Sequence, residues 1–140
     1  HGVNIDLPFE QEQNGYAHFE TKHPEFPTRL QEFADKTNAC YLAVGGVGTV
    51  YELFQFIQTR QVGHLEDDYP IIAHPFWKPI MDVLYDQMYH RRVGSKITLI
   101  SESDLDLVVF SEDIPKITGI IAESYDKWAK SIRRNVRITP

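Results

Sequence analysis

A glycine-rich turn between an apolar run and a helix-forming segment constrains this chain most. Residues 39–44 are apolar throughout, which is typical of a strand buried on both faces. Gly45-Gly46-Val47-Gly48-Thr49, here called the glycine turn, follows at once, and residues 50–58 contain no helix breaker. Glycines permit positive φ and close approach of a ligand, and a helix start offers free N–H groups to an anion. The pattern therefore favours a phosphate site over a tight turn that binds nothing.

Two common phosphate motifs do not fit the glycine turn. A P-loop needs a Gly-Lys-Ser/Thr sequence, and no lysine follows Gly48. The dinucleotide fingerprint needs a third glycine where Tyr51 stands. The turn is therefore predicted to hold phosphate, but neither a P-loop nucleotide nor an extended NAD.

The rest of the chain alternates predicted strands with predicted helices. Strands are predicted at residues 2–7, 69–74 and 97–100, helices at 77–88 and 114–132, a further element from 103, and a long loop at 9–28. This alternation predicts one α/β domain with a parallel sheet over residues 1–140. No internal repeat or second domain is visible.

A further helix is predicted to begin at Thr28. Thr28 would cap it, with Gln31 or Glu32 closing the capping box, and Thr37-Asn38 would end it. Its residues Leu30, Phe33 and Ala34 fall on one apolar face. This face, with the aromatic surface around Trp77, predicts a homodimer or a higher homo-oligomer, because so much apolar surface needs a cover.

Composition excludes several function classes. The chain has 140 residues, and no apolar run approaches the ~18 residues of a membrane span. No basic segment precedes an apolar stretch, so no signal peptide is expected. Cys40 is the single cysteine, which excludes an intramolecular disulfide and leaves a reducing, cytoplasmic setting as the expectation.

The charge pattern disfavours nucleic acid as a partner. The net charge is −6, and an acidic chain repels phosphate backbones. Residues 116–140 nevertheless carry six basic and two acidic residues. We interpret this basic tail as cations near a helix C-terminus, where the helix dipole favours them, rather than as a nucleic-acid site.

The segment from Gly45 to Glu52 resembles the GGxGTxxE motif of the LOG ("lonely guy") family. Its members are cytokinin-activating phosphoribohydrolases and nucleoside-monophosphate nucleosidases, and they are often labelled lysine decarboxylases. The family also has an arginine 23 residues before the motif glutamate, and Arg29 stands 23 residues before Glu52. With weaker similarity in residues 2–14 and 68–79, the resemblance spans roughly residues 2–110. It implies a Rossmann-like parallel sheet with flanking helices.

The resemblance also implies an activity and a site. The activity is hydrolysis of the N-glycosidic bond of a nucleoside 5′-monophosphate to free base and ribose 5-phosphate, without cofactor or metal. Glu52 and Arg29 would be catalytic, and Gly45, Gly46, Val47, Gly48 and Thr49 would bind substrate. A carboxylate suits the cationic ribosyl transition state, and the arginine fork suits phosphate or carboxylate. The alternatives are a first-turn acid that helps the helix dipole and a solvated surface arginine.

The sequence departs from the family at several positions. Val44 stands where proline is usual, Leu30 where a lysine is usual, and Tyr51 where the residue is often acidic. The family's first two strands and their glycine-rich turn have no counterpart, so we expect a C-terminal fragment or a front half supplied otherwise. These departures motivate an alternative function, a non-catalytic nucleotide sensor. A pyridoxal-phosphate decarboxylase is disfavoured because no Schiff-base lysine motif is identifiable.

The histidines do not converge on a metal site. His18 and His23 fall in the predicted long loop, where they could reach a ligand. His64 stands near the acidic residues 66–68, but the spacing fits no zinc site, so a solvated loop is favoured. His74 ends a predicted strand, where we favour a structural histidine over a ligand-binding one.

Four other residues are predicted to be structural. Cys40 is expected to be a small core residue rather than a nucleophile. Trp77, Tyr85 and Met88 are expected in the core or a subunit interface rather than in a base-stacking site.

Overall fold

The computed structural model describes residues 1–7, 15–90 and 98–136, which form two compact units that divide between Thr37 and Asn38. Each unit contains parallel strands, and helices flank them. The predicted α/β, Rossmann-like class with parallel sheets is therefore confirmed. The expectation of a single domain stays a prediction.

The first unit contains a pair of parallel strands. Strand β1 (Gly2–Ile5) confirms the predicted opening strand. Strand β2 (Glu20–His23) pairs with it, from Gly2 opposite Glu20 to Ile5 opposite His23. The prediction of a loop over residues 9–28 is wrong at β2, because the strand sequence Glu-Thr-Lys-His has no apolar residue and so no hydrophobic period. Residues 8–14 lie outside the described residues.

Helix α1 (Phe26–Lys36) begins two residues before the predicted start. Its N-cap, Glu25, makes no side-chain cap bond, and Pro27 occupies the first turn, where a missing N–H costs nothing. Thr28 lies inside the helix and its hydroxyl donates to the Glu25 carbonyl at 2.9 Å. The predicted capping box is therefore wrong, whereas the predicted end at Thr37 is confirmed.

Glu32 of α1 joins the helix to strand β2. Its carboxylate accepts from the Thr21 hydroxyl at 2.9 Å and pairs with His23 and Lys36. The hydrogen bonds from Lys36 and then His23 lower the pKa of Glu32 from about 4.5 to about 2. Ionised Glu32 therefore stabilises the folded chain.

We expect this carboxylate to make stability depend on acid pH. Because the folded-state pKa of Glu32 is lowered from 4.5 to about 2, its contribution is complete above pH 4.5 and is lost as pH falls towards 2. Urea unfolding at pH 6, 4 and 3 should show a steeper loss of stability for wild type than for Glu32→Gln, which has no titrating carboxyl. Parallel pH profiles for the two proteins would contradict this role.

The second unit contains three parallel strands in the order β3-β4-β5: β3 (Cys40–Leu42), β4 (Ile71–Ala73) and β5 (Val108–Phe110). Cys40 lies opposite Ile71, which lies opposite Val108. β3 and β4 confirm two predicted strands. The central strand β4 is the one buried throughout, whereas Tyr41 of β3 is 37% exposed. The prediction that residues 39–44 are buried on both faces is therefore wrong, because β3 lies at the edge of this sheet.

Strand β5 falls between two predicted elements. The segment opening near residue 103 is a short 3-10 helix, Glu102–Asp106, and β5 follows it. Residues 98–100 form no strand, so that prediction is wrong where the structure describes it, and Ile97 lies outside the described residues. Three residues are too few to establish a period of two, which explains why the pattern did not indicate β5.

Three α-helices cover the sheet or extend from it. They are α2 (Val47–Gln61), α3 (Lys78–Tyr85) and α4 (Ile114–Val136), and the predicted helical segments fall on them. A 3-10 turn (Pro75–Trp77) precedes α3, and a π turn (Asp86–His90) follows it. The core of this unit comes from all three strands, the inward face of α2, the region around α3 and the first turn of α4: Leu42, Leu53, Phe56, Tyr69, Ile71, Ile72, Ala73, Trp77, Met81, Val108 and Ile117.

Arg60 of α2 connects the helix to the segments that precede strands β4 and β5. Its guanidinium donates to the carbonyls of Tyr69 at 2.9 Å, Asp67 at 2.7 Å and Leu107 at 3.4 Å. These bonds satisfy backbone acceptors next to β4 and β5. Arg60 is therefore a structural residue, which the sequence did not single out.

Candidate functional site

The glycine turn leads from the end of β3 into α2. Gly46 is the N-cap residue, with φ −102° and ψ −153°, and no side chain caps the helix. The first backbone bond inside the helix runs from the Val50 N–H to the Gly46 carbonyl at 3.2 Å. The N–H groups of Val47, Gly48 and Thr49 therefore belong to the helix start, which lacks partners within the helix. Together with the helix dipole, this arrangement can bind an anion.

The glycines serve two purposes in this turn, and neither is positive φ. Among the described residues, Gly63 is the glycine with positive φ, at 76°, so the expectation of positive φ in the glycine turn is wrong. A Cβ on Gly45 would lie 2.9 Å from the Thr49 Cβ and closer still to its hydroxyl, so glycine is needed for close packing there. A Cβ on Gly46 or Gly48 would meet nothing within 4 Å. These two glycines therefore leave open space over the helix start.

Glu52 lies one helical turn beyond Gly48. Residues four apart share a helix face, and each Cα–Cβ bond tilts towards the helix N-terminus. The half-buried Glu52 side chain therefore leans towards the start of α2, on the face that Gly48 leaves bare. The next residue, Leu53, is buried and holds α2 against the sheet. The Glu52 carboxylate and the N–H groups of the helix start thus belong to the first turns of one helix.

The chain segments that leave the three strands lie side by side at the carboxyl edge of the sheet. The His74 N–H donates to the Leu42 carbonyl at 2.9 Å, and the Ser111 N–H donates to the Ala73 carbonyl at 3.0 Å. Open α/β sheets bind ligands at this edge.

Trp77 anchors the start of the glycine turn. Its indole N–H donates to the Ala43 carbonyl at 2.9 Å, while the ring is only 3% exposed. Trp77 therefore lies in the core, one of the two structural roles expected for it, and fixes the position at which the chain leaves β3.

His74 has a partner at each ring nitrogen. Nδ1 accepts from the Phe76 N–H at 3.1 Å, and Nε2 lies 3.3 Å from Glu112 Oε2. These contacts fit the structural histidine favoured by the sequence. Glu112, which the sequence did not single out, stands 38 residues away along the chain and reaches His74 because β4 and β5 are neighbours.

Arg29 belongs to the first unit, whereas the glycine turn and Glu52 belong to the second. Its Nε donates to the Val3 carbonyl at 3.0 Å, and its guanidinium carbon lies 4.9 Å from the centre of the Phe33 ring. Arg29 is half-buried, so the alternative of a freely solvated arginine does not describe it. β1 and α1 together fix its orientation.

The remaining histidine, cysteine, tyrosine and methionine candidates differ in their burial and contacts. His23 pairs with Glu32, and His18 is exposed. Burial raises the pKa of the Cys40 thiol to about 12, so it stays neutral, as a core cysteine does. Burial, and then the nearby Asp104, raises the pKa of Tyr85 to about 12. Met88 is half-buried.

The described residues contain neither a cluster of metal-ligating side chains nor a membrane-spanning helix. In residues 1–7, 15–90 and 98–136, no group of three or more histidine, cysteine, aspartate or glutamate side chains could hold a metal ion. Within the same part of the chain, no helix is long and apolar enough to cross a membrane. The basic tail lies on α4 as far as Val136, and Arg137 lies beyond the described residues.

Fold and site together define an α/β protein with a glycine-rich βα turn, which leads into an uncapped helix start, and a carboxylate one turn further along that helix. Residues 1–120 match the model of the family described as "Possible lysine decarboxylase". Because the match covers well over half of the chain, the protein belongs to this family, which is the LOG family whose motif occupies residues 45–52. No curated protein matches the chain at a significant level.

Proposed function

We propose that this protein is a nucleoside 5′-monophosphate phosphoribohydrolase that releases free base and ribose 5-phosphate. The observation that carries the proposal is the start of α2, where no side chain caps the first N–H groups, Gly48 leaves open space, and Glu52 follows one turn later. Membership of the LOG family supports the same reaction class.

The chemistry follows from this arrangement. The phosphate binds the N–H groups of Val47, Gly48 and Thr49, and the ribose lies towards Glu52. The bond between C1′ and the base nitrogen breaks, water adds hydroxide to C1′, and the base leaves with a proton. Glu52 stabilises the cationic ribosyl transition state or activates the attacking water. Both roles require the ionised carboxylate.

Arg29 is proposed to bind a phosphate or a carboxylate group with its guanidinium fork. We expect Arg29→Ala to weaken nucleotide binding about tenfold or more, the usual loss for a hydrogen bond to a charged group. Calorimetry should be paired with urea unfolding, because Arg29 also bonds the Val3 carbonyl. Phe33→Leu is the matched control, since it removes the ring under Arg29 but keeps the guanidinium. A folded Arg29→Ala protein with wild-type affinity would remove this role.

We propose a homodimer, supported by exposed apolar surface in the second unit. Leu30 and Trp77 are each 3% exposed, so these two side chains are covered within the chain. Exposed apolar side chains lie beside Trp77, at Phe76 and Ile80, and along β3 and the start of α2, at Tyr41, Val44, Val47 and Tyr51. Light scattering at micromolar concentration should give twice the chain mass for wild type and a lower mass for Val47→Asp. A monomer mass for wild type would contradict the proposal.

The proposed reaction is tested by incubating the protein with AMP, GMP, CMP, UMP and isopentenyladenosine monophosphate. Chromatography should detect released base from at least one of them, and the preferred nucleotide identifies the substrate. Omitting the protein gives the control for spontaneous hydrolysis.

A non-catalytic nucleotide sensor is the second candidate. The observation in its favour is Leu30, which stands where the family usually has a lysine and is buried beside Arg29 in α1. A sensor would bind nucleotide through the same helix start but release no base.

A further inference from the structure

The carboxyl edge of the second unit's sheet carries a second polar group besides the glycine turn. His74 follows β4, Glu112 follows β5, and their side chains approach to 3.3 Å between Nε2 and Oε2. The His74 backbone is bonded to Leu42, so this pair lies on the same edge from which the glycine turn departs.

The contacts of His74 fix which atoms can meet a ligand. Because Nδ1 accepts the Phe76 N–H, the proton of the neutral ring is on Nε2, the atom that lies 3.3 Å from Glu112 Oε2. His74 therefore orients Glu112, whose side chain is 73% exposed. In the described part of the chain, the structure records no other side-chain partner for Glu112.

The exposed Glu112 carboxylate restricts which chemical groups of a ligand it can bind. It only accepts hydrogen bonds, so it repels a phosphate and needs a donor such as a hydroxyl. Neighbouring strands are about 4.8 Å apart. The chain that leaves β4 is therefore about one strand spacing from the glycine turn, which follows β3. The chain that leaves β5, and carries Glu112, is about two strand spacings from the glycine turn. This is the scale of a ribose 5-phosphate whose phosphate is bound at the glycine turn.

We infer that Glu112, oriented by His74, accepts hydrogen bonds from the ribose hydroxyls of the nucleotide and selects ribonucleotides over 2′-deoxyribonucleotides. The vicinal 2′- and 3′-hydroxyls offer two donors to the two carboxylate oxygens, whereas a 2′-deoxyribose offers one. This inference rests on the proposed function, because it takes the glycine turn as the phosphate site.

The test compares AMP with 2′-deoxy-AMP in wild type, Glu112→Ala and His74→Asn. Calorimetry measures affinity, and chromatography measures base release. Glu112→Ala should weaken AMP binding about ten- to a hundredfold and 2′-deoxy-AMP binding much less, so that the preference for AMP collapses. Asparagine at position 74 can still accept the Phe76 N–H but lacks Nε2, so His74→Asn should reduce the preference several-fold.

Glu123→Ala is the matched control, because Glu123 is an exposed glutamate on α4 that pairs with Lys127 and should leave both nucleotides unaffected. An unchanged AMP preference in Glu112→Ala overturns the inference, even if base is released and the proposed function holds. If calorimetry shows a preference for AMP that depends on Glu112, but no base is released, the result supports the inference and contradicts the proposed hydrolase activity. Wild type that binds neither nucleotide overturns both.

Discussion

Replacing Glu52 with glutamine is expected to lower base release by about two to four powers of ten while nucleotide affinity stays within a few-fold of wild type. Glutamine keeps the size and hydrogen bonding of Glu52 but loses its charge. Because the positive charge on the ribose develops in the transition state, the lost charge acts on turnover more than on binding. Steady-state kinetics and calorimetry on the same preparation measure the two effects separately.

The matched control for Glu52→Gln is Glu123→Gln, the same change on the exposed surface of α4. It should leave both kinetics and affinity unchanged. If wild type and Glu52→Gln release base equally fast, Glu52 is not the catalytic carboxylate.

Replacing Gly48 with valine should abolish nucleotide binding in a protein that remains folded. A side chain at Gly48 would meet no protein atom within 4 Å, so it costs little packing, and valine suits a helix no worse than glycine does. The added methyl groups would instead occupy the open space where the phosphate binds. Calorimetry should show no binding, and circular dichroism and urea unfolding should show a stable protein.

Gly119→Val is the matched control, because Gly119 lies within α4 and a Cβ there also meets nothing within 4 Å. It should bind nucleotide as wild type does. Wild-type affinity in folded Gly48→Val would remove the phosphate assignment of the glycine turn.

The sequence predicted those elements that have a clear hydrophobic pattern. Apolar runs indicated β3 and β4, and helical spacing of apolar residues indicated α3. The sequence did not predict β2, because its four residues are all polar and the strand depends on pairing with β1. The start of α1 differs from the prediction because Thr28 does not cap the helix, and Pro27 already lies in its first turn.

The sequence indicates which candidate residues share a helix, but it does not indicate their contacts. The spacing of Gly48 and Glu52 puts both on one helix face, which follows from the helical period alone. Glycine is needed at position 45 because Thr49 packs close to it, and this contact is seen only in the structure. His74 and Glu112 meet across two parallel strands, and a separation of 38 residues carries no signal of that contact.

The most direct test of the central claim measures nucleotide binding and hydrolysis on one sample of wild-type protein. Calorimetry measures affinity for AMP and the other four nucleotides, and chromatography then quantifies free base and ribose 5-phosphate. We predict equal amounts of base and ribose 5-phosphate from the preferred nucleotide, with release that depends on Glu52. Nucleotide binding without release of base from any of the five would contradict the hydrolase and leave the sensor as the function.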